Sequence, residues 1–160
     1  MGDEFPPGGA PEGVFTRKAG LADLAALHKL DNALFPPDIA YDPETFLFYL
    51  LDKSSEVIMA GDSAGLAGFS IIKKESKTRA NLVTIDVEQS RQGRGVGSLL
   101  LSMAHMAAAT WGASQVVLEV DTGNLRATKF YEKHGYTKTR IHKGYYPNGA
   151  DAWEMRKTLA

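Results

Sequence analysis

Hydrophobic residues along the chain fall into blocks of period two and blocks of period 3.6, and each block predicts one element. Val14 to Lys18 reads as a short strand, and Leu21, Leu24, Ala25, Leu27, His28, Leu30 and Leu34 then recur at helical spacing. Phe35-Pro36-Pro37 stops that helix, and Asp42-Pro43 supplies the N-cap and first position of a second, short one through about Leu51. Glu56 to Ala60 and Gly65 to Lys73 read as strands around a Gly61-Asp62-Ser63 turn, and a polar hairpin from Lys74 to Arg79 leads to a strand ending at Val87. Three glycines at alternate positions follow, Gly93, Gly95 and Gly97. The next helix carries Val96, Leu99, Leu100, Met103, Ala107 and Trp111 toward a core and ends at Gly112. Val116 to Val120 is apolar enough for a central strand. A third main helix runs from about Asn124 to His134, closed by Gly135, before strands near Thr137 to His142 and Ala152 to Lys157. The order β-α-α-β-β-β-α-β-α-β-β predicts a mixed α/β fold around one sheet.

At 160 residues the chain fits one domain, expected over 14–160, behind a Pro- and Gly-rich tail over 1–13 that is expected to be disordered. A net charge of −1 gives no electrostatic case for nucleic acid or an anionic membrane as partner. The absence of cysteine excludes disulfides, thiolate nucleophiles and Cys-based metal sites. No apolar run approaches membrane-spanning length, Met1-Gly2-Asp3-Glu4 has no basic leader, and Pro6 stands where a myristoylation signal needs Ser or Thr. The expectation is a soluble cytoplasmic domain. No metal is expected either: His28, His105 and His134 lack partners at ligand spacing, and His142 alone lies near a candidate acceptor loop.

The strand, glycine-rich turn and helix start at Val87 to Leu100 form a place where backbone N–H groups lack intrahelical partners and glycine lets an anion approach. Two familiar phosphate motifs do not fit. Ser98 stands where the third glycine of a dinucleotide fingerprint belongs, and Gly97-Ser98-Leu99 is not the end of a P-loop. The arrangement Gln92-x-x-Gly95-x-Gly97 resembles the pyrophosphate loop of the GNAT superfamily of acyl-CoA-dependent N-acyltransferases. The segment Leu118-Glu119-Val120 through Asn124 to Tyr131-Glu132-Lys133-His134-Gly135-Tyr136 resembles the second half of the acyl-CoA region of that family. Tyr145-Tyr146-Pro147, with Gly149-x-Asp151-Ala152 and Met155, is similar to the branch that acetylates the N-terminal amine of ribosomal proteins and other polypeptides. The resemblance is strong from about Ile85 to Met155.

The resemblance implies a central, mostly antiparallel sheet whose parallel central pair splays around the coenzyme, with helices on both faces. It implies acetyl-CoA as co-substrate, held by the loop Gln92, Gly93, Arg94, Gly95, Val96, Gly97 and Ser98, by the backbone of Ile85 and Val87, and by Asn124. It implies an acceptor groove walled by Phe35, Tyr41, Tyr145 and Tyr146. The acceptor would be a polypeptide N-terminus, and the assembly a monomer or homodimer.

Two residues carry the expected chemistry. Glu119 is a carboxylate inside an apolar strand, on the face shared with Val117; by itself this fits a strand-end residue reaching solvent or a functional group. The resemblance makes it the general base, a role with chemical sense because an amine attacks only when neutral and an α-amine has a pKa of about 8. Tyr131 shares a helix face with Asn124 and Ala127, which fits a rim tyrosine of the core. The resemblance makes it the acid that protonates the departing thiolate. Asn124 fits a plain N-cap as well as a pantetheine ligand. Arg126, Lys129 and Lys133 form a basic helix edge, a solvated surface that also suits phosphates. Gly144, where the family more often has a polar residue, leaves acceptor choice open, and small amines or a non-catalytic acyl-CoA-binding module are the competing readings.

Overall fold

The computed structural model describes residues 10–160. Its strands are β1 (Phe15–Lys18), β2 (Ser55–Asp62), β3 (Gly65–Lys74), β4 (Arg79–Val87), β5 (Gln115–Asp121), β6 (Thr137–His142) and β7 (Ala152–Thr158). Its helices are α1 (Leu24–Leu34), α2 (Pro43–Leu51), α3 (Val96–Thr110) and α4 (Leu125–Lys133), with a short 3-10 turn at Leu21–Asp23 ahead of α1. The expected tail falls mostly on residues 1–9, outside the described residues; Pro11 is described, and its carbonyl accepts from the Val14 N–H at 3.2 Å.

The caps form where the sequence places them. The Asp42 side chain accepts from the Thr45 N–H, Pro43 opens α2, and Asn124 accepts from the Ala127 N–H at 3.1 Å. Gly95, Gly112 and Gly135 hold positive φ at helix boundaries. The turn after β2 comes later than expected, because Gly61 and Asp62 still pair with Leu66 and Gly65 across a bulge. On α3 the buried side is Val96, Leu99, Leu100, Leu101, Ala104 and Ala108, so Val96, Leu99 and Leu100 face the core as the pattern predicts, while Met103, Ala107 and Trp111 pack only at its margin. An almost wholly apolar helix offers no polar stripe from which to choose its inner face.

The seven strands form one sheet in the order β1-β2-β3-β4-β5-β7-β6, antiparallel except for the parallel pair β4–β5. α3 and α4 cover one face around Ile58, Ile72, Leu82, Leu100, Leu118 and Met155. α1 and α2 cover β2 to β4 on the other face, around Leu27, Phe46, Phe69 and Ile71. The parallel pair is short: it joins Arg79, Ala80 and Asn81 to Gln115, Val116 and Val117 and then stops. Beyond Asn81 and Val117 the strands separate, and this fork makes the cleft. Asn81 sits at its base, its amide donating to the Val117 carbonyl at 3.1 Å and to Glu119 Oε2 at 3.3 Å. No helix among the described residues is long and apolar enough to cross a membrane.

Candidate active site

Two cavities open off the fork and share Ile85, Asn124 and Ala127 in their walls, so they form one cleft running through the sheet. The first, about 230 Å³, is bounded by β4 from Leu82 to Ile85, by β5 from Leu118 to Asp121, and by Tyr131 of α4. Asp31, Phe35, Ile39, Tyr41 and Tyr146 close it from the α1 side. The second, about 530 Å³, lies between the glycine loop and α4 and includes Gln92, Gly93, Gly95, Gly97, Ser98, Arg126, Lys133 and His134.

The glycine loop is held from behind. Arg91 pairs with Asp62 through Nη2 and Nε, at 2.7 and 3.0 Å, and donates to the Leu66 carbonyl at 3.0 Å. Gln92 turns back onto β4 and donates from Nε2 to the Val87 carbonyl at 3.0 Å, so its side chain ties the loop to the strand. Gly93 and Gly95 adopt φ of +76° and +90°, conformations that strain any L side chain, and Gly95 is the N-cap of α3. The first turn of α3, through Gly97 and Ser98, lines the second cavity with Arg126 and Lys133. Ser98 Oγ bonds His134 Nε2 at 2.9 Å, and His134 Nδ1 lies 2.8 Å from the Phe130 carbonyl, which locks the ring across the end of the cavity.

The sequence-based site residues divide on inspection. Ile85, Val87, Gln92, Gly93, Gly95, Gly97, Ser98 and Asn124 all reach the second cavity. Two loop residues do not: the Val96 side chain is buried in the core, and Arg94 is exposed outside the lining. Their backbone belongs to the loop; their side chains do not face the cleft. Of the basic edge, Arg126 and Lys133 reach the cavity and Lys129 does not. The Asn124 cap engages Oδ1, and the residue lines both cavities.

Glu119 and Tyr131 line the same cavity, one from β5 and one from α4. Burial pushes the Tyr131 phenol well above its ordinary pKa, with the Asp86 and Tyr146 oxygens adding to it. A phenol so placed is protonated at neutral pH and able to donate. Phe35, Tyr41 and Tyr146 line the first cavity, whereas Tyr145 is half out in solvent and stands behind Tyr146, edge to face at 5.0 Å. Burial also raises Tyr146, to about 12.

Several cleft residues lay beyond sequence reasoning. Asn81 had one signal, a polar residue in an apolar strand, but its place at the fork depends on where the parallel pairing stops. His134 read only as a helical residue without a partner at metal-ligand spacing, and the packing of α4 brings it to Ser98. Asp31 and Asp86 are both buried and interact through their side chains. The Tyr41 N–H donates to Asp31 at 2.7 Å and the Thr84 hydroxyl to Asp86 at 2.8 Å. Burial, then the hydrogen bond and charge of Asp31, push the Asp86 pKa well above the carboxylate range.

Known proteins resemble this chain over the same elements. The sequence profile of the acetyltransferase (GNAT) family matches residues 24–136. The N-alpha-acetyltransferase RimI of Mycobacterium tuberculosis is 31% identical over 149 residues, covering 91% of this chain and 90% of that protein. A mycothiol acetyltransferase of Corynebacterium glutamicum is 34% identical over 95 residues, 58% of this chain; the chain spans only 32% of that longer relative. Arabidopsis thaliana Naa50, solved with the bisubstrate analogue CoA-Ac-MVNAL, shares the fold with a TM-score of 0.80 and 24% identity, covering 92% of this chain and 99% of that one. The forked sheet, the glycine loop beneath α3 and the matched sequence agree, and the chain belongs to the acetyltransferase (GNAT) family.

Proposed function

We propose that this protein transfers the acetyl group of acetyl-CoA to the α-amine of a polypeptide N-terminus, by direct attack with both substrates bound. One observation carries the reading: Glu119 and Tyr131 flank a single cavity, and that cavity joins the glycine-loop cavity through Ile85, Asn124 and Ala127. A thioester entering from the loop side meets an amine entering from the α1 side between a base and an acid. RimI supports the choice of an N-terminal α-amine, since it is related along nine-tenths of its length.

The loop side fits the coenzyme. Positive-φ glycines open the approach to the backbone, the N-terminus of α3 and the cations Arg126 and Lys133 suit a pyrophosphate, and the inner edge of β4 offers main-chain groups to an amide-bearing arm. Glu119 takes one proton from the incoming ammonium, and the neutral nitrogen attacks the thioester carbonyl. When the C–S bond breaks, the thiolate takes the Tyr131 proton, and the second proton shed by the nitrogen restores the phenol. One proton per acetyl transfer is left on Glu119. No covalent acetyl-enzyme is needed, in keeping with a chain that has no cysteine.

Release of free thiol from acetyl-CoA, measured with a panel of peptides and small amines, tests the assignment. Turnover with free N-termini that disappears when the same peptides are blocked is the expected result. Turnover confined to polyamines, amino acids or aminoglycosides would keep the acetyl transfer and replace the acceptor. Binding of acetyl-CoA with no turnover on any acceptor would contradict both.

A further inference from the structure

A row of charged side chains crosses the sheet beside the proposed base, on the face that α1 and α2 leave uncovered. Glu119 on β5 stands directly opposite Glu154 on β7, and Glu154 stands opposite Arg140 on β6. A register shift between Lys138 and Arg140 brings Thr139 to Glu154 as well, as a bulge does when two residues face one. Glu154 is buried, its side chain only 4% exposed. It accepts from Arg140 Nε at 2.9 Å, from His142 Nε2 at 3.1 Å and from Thr139 Oγ1 at 3.0 Å, with Arg156 at 3.7 Å. Burial alone would raise the Glu154 pKa, but those donors outweigh it and hold the carboxyl below its ordinary range. An ionised carboxylate only accepts, so Nε2 of His142 carries a proton and Nδ1 is the basic nitrogen of the neutral ring.

A ring nitrogen of His142, an oxygen of Glu119 and an oxygen of Glu154 all lie within 4.8 Å of one another. One water spans such a gap. The His142 side chain is 27% exposed, and Tyr145 stacks beside it at 5.7 Å. The three donors have the types of a cation site, but two arginines already crowd Glu154, which opposes a metal there.

We infer that His142, held in orientation by Glu154, carries the proton collected by Glu119 out to solvent and so resets the base for the next turnover. This rests on the reading of Glu119 as base. Because Nε2 already holds the proton it donates to Glu154, the proton passes from the Glu119 carboxyl by way of water to Nδ1 of the imidazole. The imidazolium so formed still donates from Nε2 to Glu154, whose charge offsets it, and it then gives up a proton to bulk water. Glu154 is a positioning residue. The groups that set the balance are Glu119 from β5, Glu154 and Arg156 from β7, Arg140 from β6, and Tyr145 from the loop.

The test compares the parent with H142Q, H142A, E154Q and E119Q in steady-state rates from about pH 6 to 9, the window in which histidine exchanges protons. General acid–base groups contribute about 10²–10⁴-fold, and a secondary carrier less. The expected result is a fall of about tenfold in kcat for H142Q, with acceptor KM and acetyl-CoA Kd unchanged. Added imidazole should restore H142A in proportion to its concentration, a response that a purely structural histidine would not give. For E154Q the pH dependence of kcat should shift along the pH axis, and thermal melts of all four variants separate lost chemistry from lost fold. Parent-like kcat in well-folded H142Q, or a slow H142A that imidazole leaves slow, overturns the relay. If E119Q is slow while the His142 variants are fast, the relay alone is wrong. If E119Q is as fast as the parent, the base assignment fails and the relay goes with it.

Discussion

On the α3 and α4 side of the fork, the proposed coenzyme site is built largely from main chain, with glycines at positive φ, the first turn of a helix and the inner edge of β4. On the α1 side it is built from side chains that come from five separate segments: Asp31, Phe35 and Tyr41 from α1 and the loop after it, Glu119 from β5, Tyr131 from α4 and Tyr146 from the last loop. The difference teaches how one fold keeps a coenzyme and varies its acceptor. A backbone site depends on conformation, which a few glycines and caps specify locally. A side-chain site depends on register and long-range packing, and each wall can change without disturbing the loop.

Substitutions that strike one wall and spare the other test this division. The largest effect is expected from Glu119→Gln, which replaces the carboxylate of the proposed base with an amide of the same shape. The turnover number kcat should fall about 10²-fold or more, with acetyl-CoA affinity unchanged by calorimetry. A parallel loss of coenzyme binding would break the separation. Next comes Gly95→Val on the opposite wall. A β-branched residue forced to φ of +90° costs about 1–2 kcal/mol, so the acetyl-CoA Kd should rise about tenfold with an unaltered pH profile. Tyr131→Phe strikes the same wall as Glu119, yet a thiolate leaves readily. A loss of about tenfold in kcat with unchanged Kd for the coenzyme is expected, and an unaltered rate would remove Tyr131 from the chemistry.

The smallest effect concerns stability and sharpens the contrast within the acceptor side. Asp86 has a folded-state pKa well above the carboxylate value, so the native protein holds a proton that the unfolded chain releases. The stability tied to that proton is complete below about pH 4 and is lost as pH rises through the folded value. Glu154, with its pKa lowered, behaves in the opposite sense and loses its contribution as pH falls. Asp86→Asn should therefore flatten the decline of Tm on the alkaline side, and a curve parallel to the parent would refute the raised pKa of Asp86.

Local signals made most of the fold legible. Period-two and period-3.6 runs, the Asp42 and Asn124 caps and the glycines after α3 and α4 each act within a few residues. They predict the elements in their observed order. Glu119 drew notice as a charge in an apolar strand and Tyr131 as a residue sharing a helix face with a cap, but their expected roles as base and acid came from the family resemblance. The partners of Glu119 were not legible. Glu154 and His142 reach it only because β7 lies between β5 and β6 in a register that the 143–151 loop does not announce. Asp31 and Asp86 are separated by much of the chain and meet only when α1 packs on β4. Val96 and Arg94 belong to the loop through their backbone, and membership in a backbone motif says nothing about where a side chain points.

The fork at Asn81 has a consequence beyond catalysis. Three ladder pairs join the two halves of the sheet, and past them each half presents main-chain groups to the gap. The empty cleft is thus an internal seam, the place where hydrogen exchange should enter the middle of the domain. An occupant that bridges the arms binds only the assembled sheet, and by mass action it raises the resistance of the whole domain to unfolding. The coenzyme is then a tie across the seam as well as a reactant.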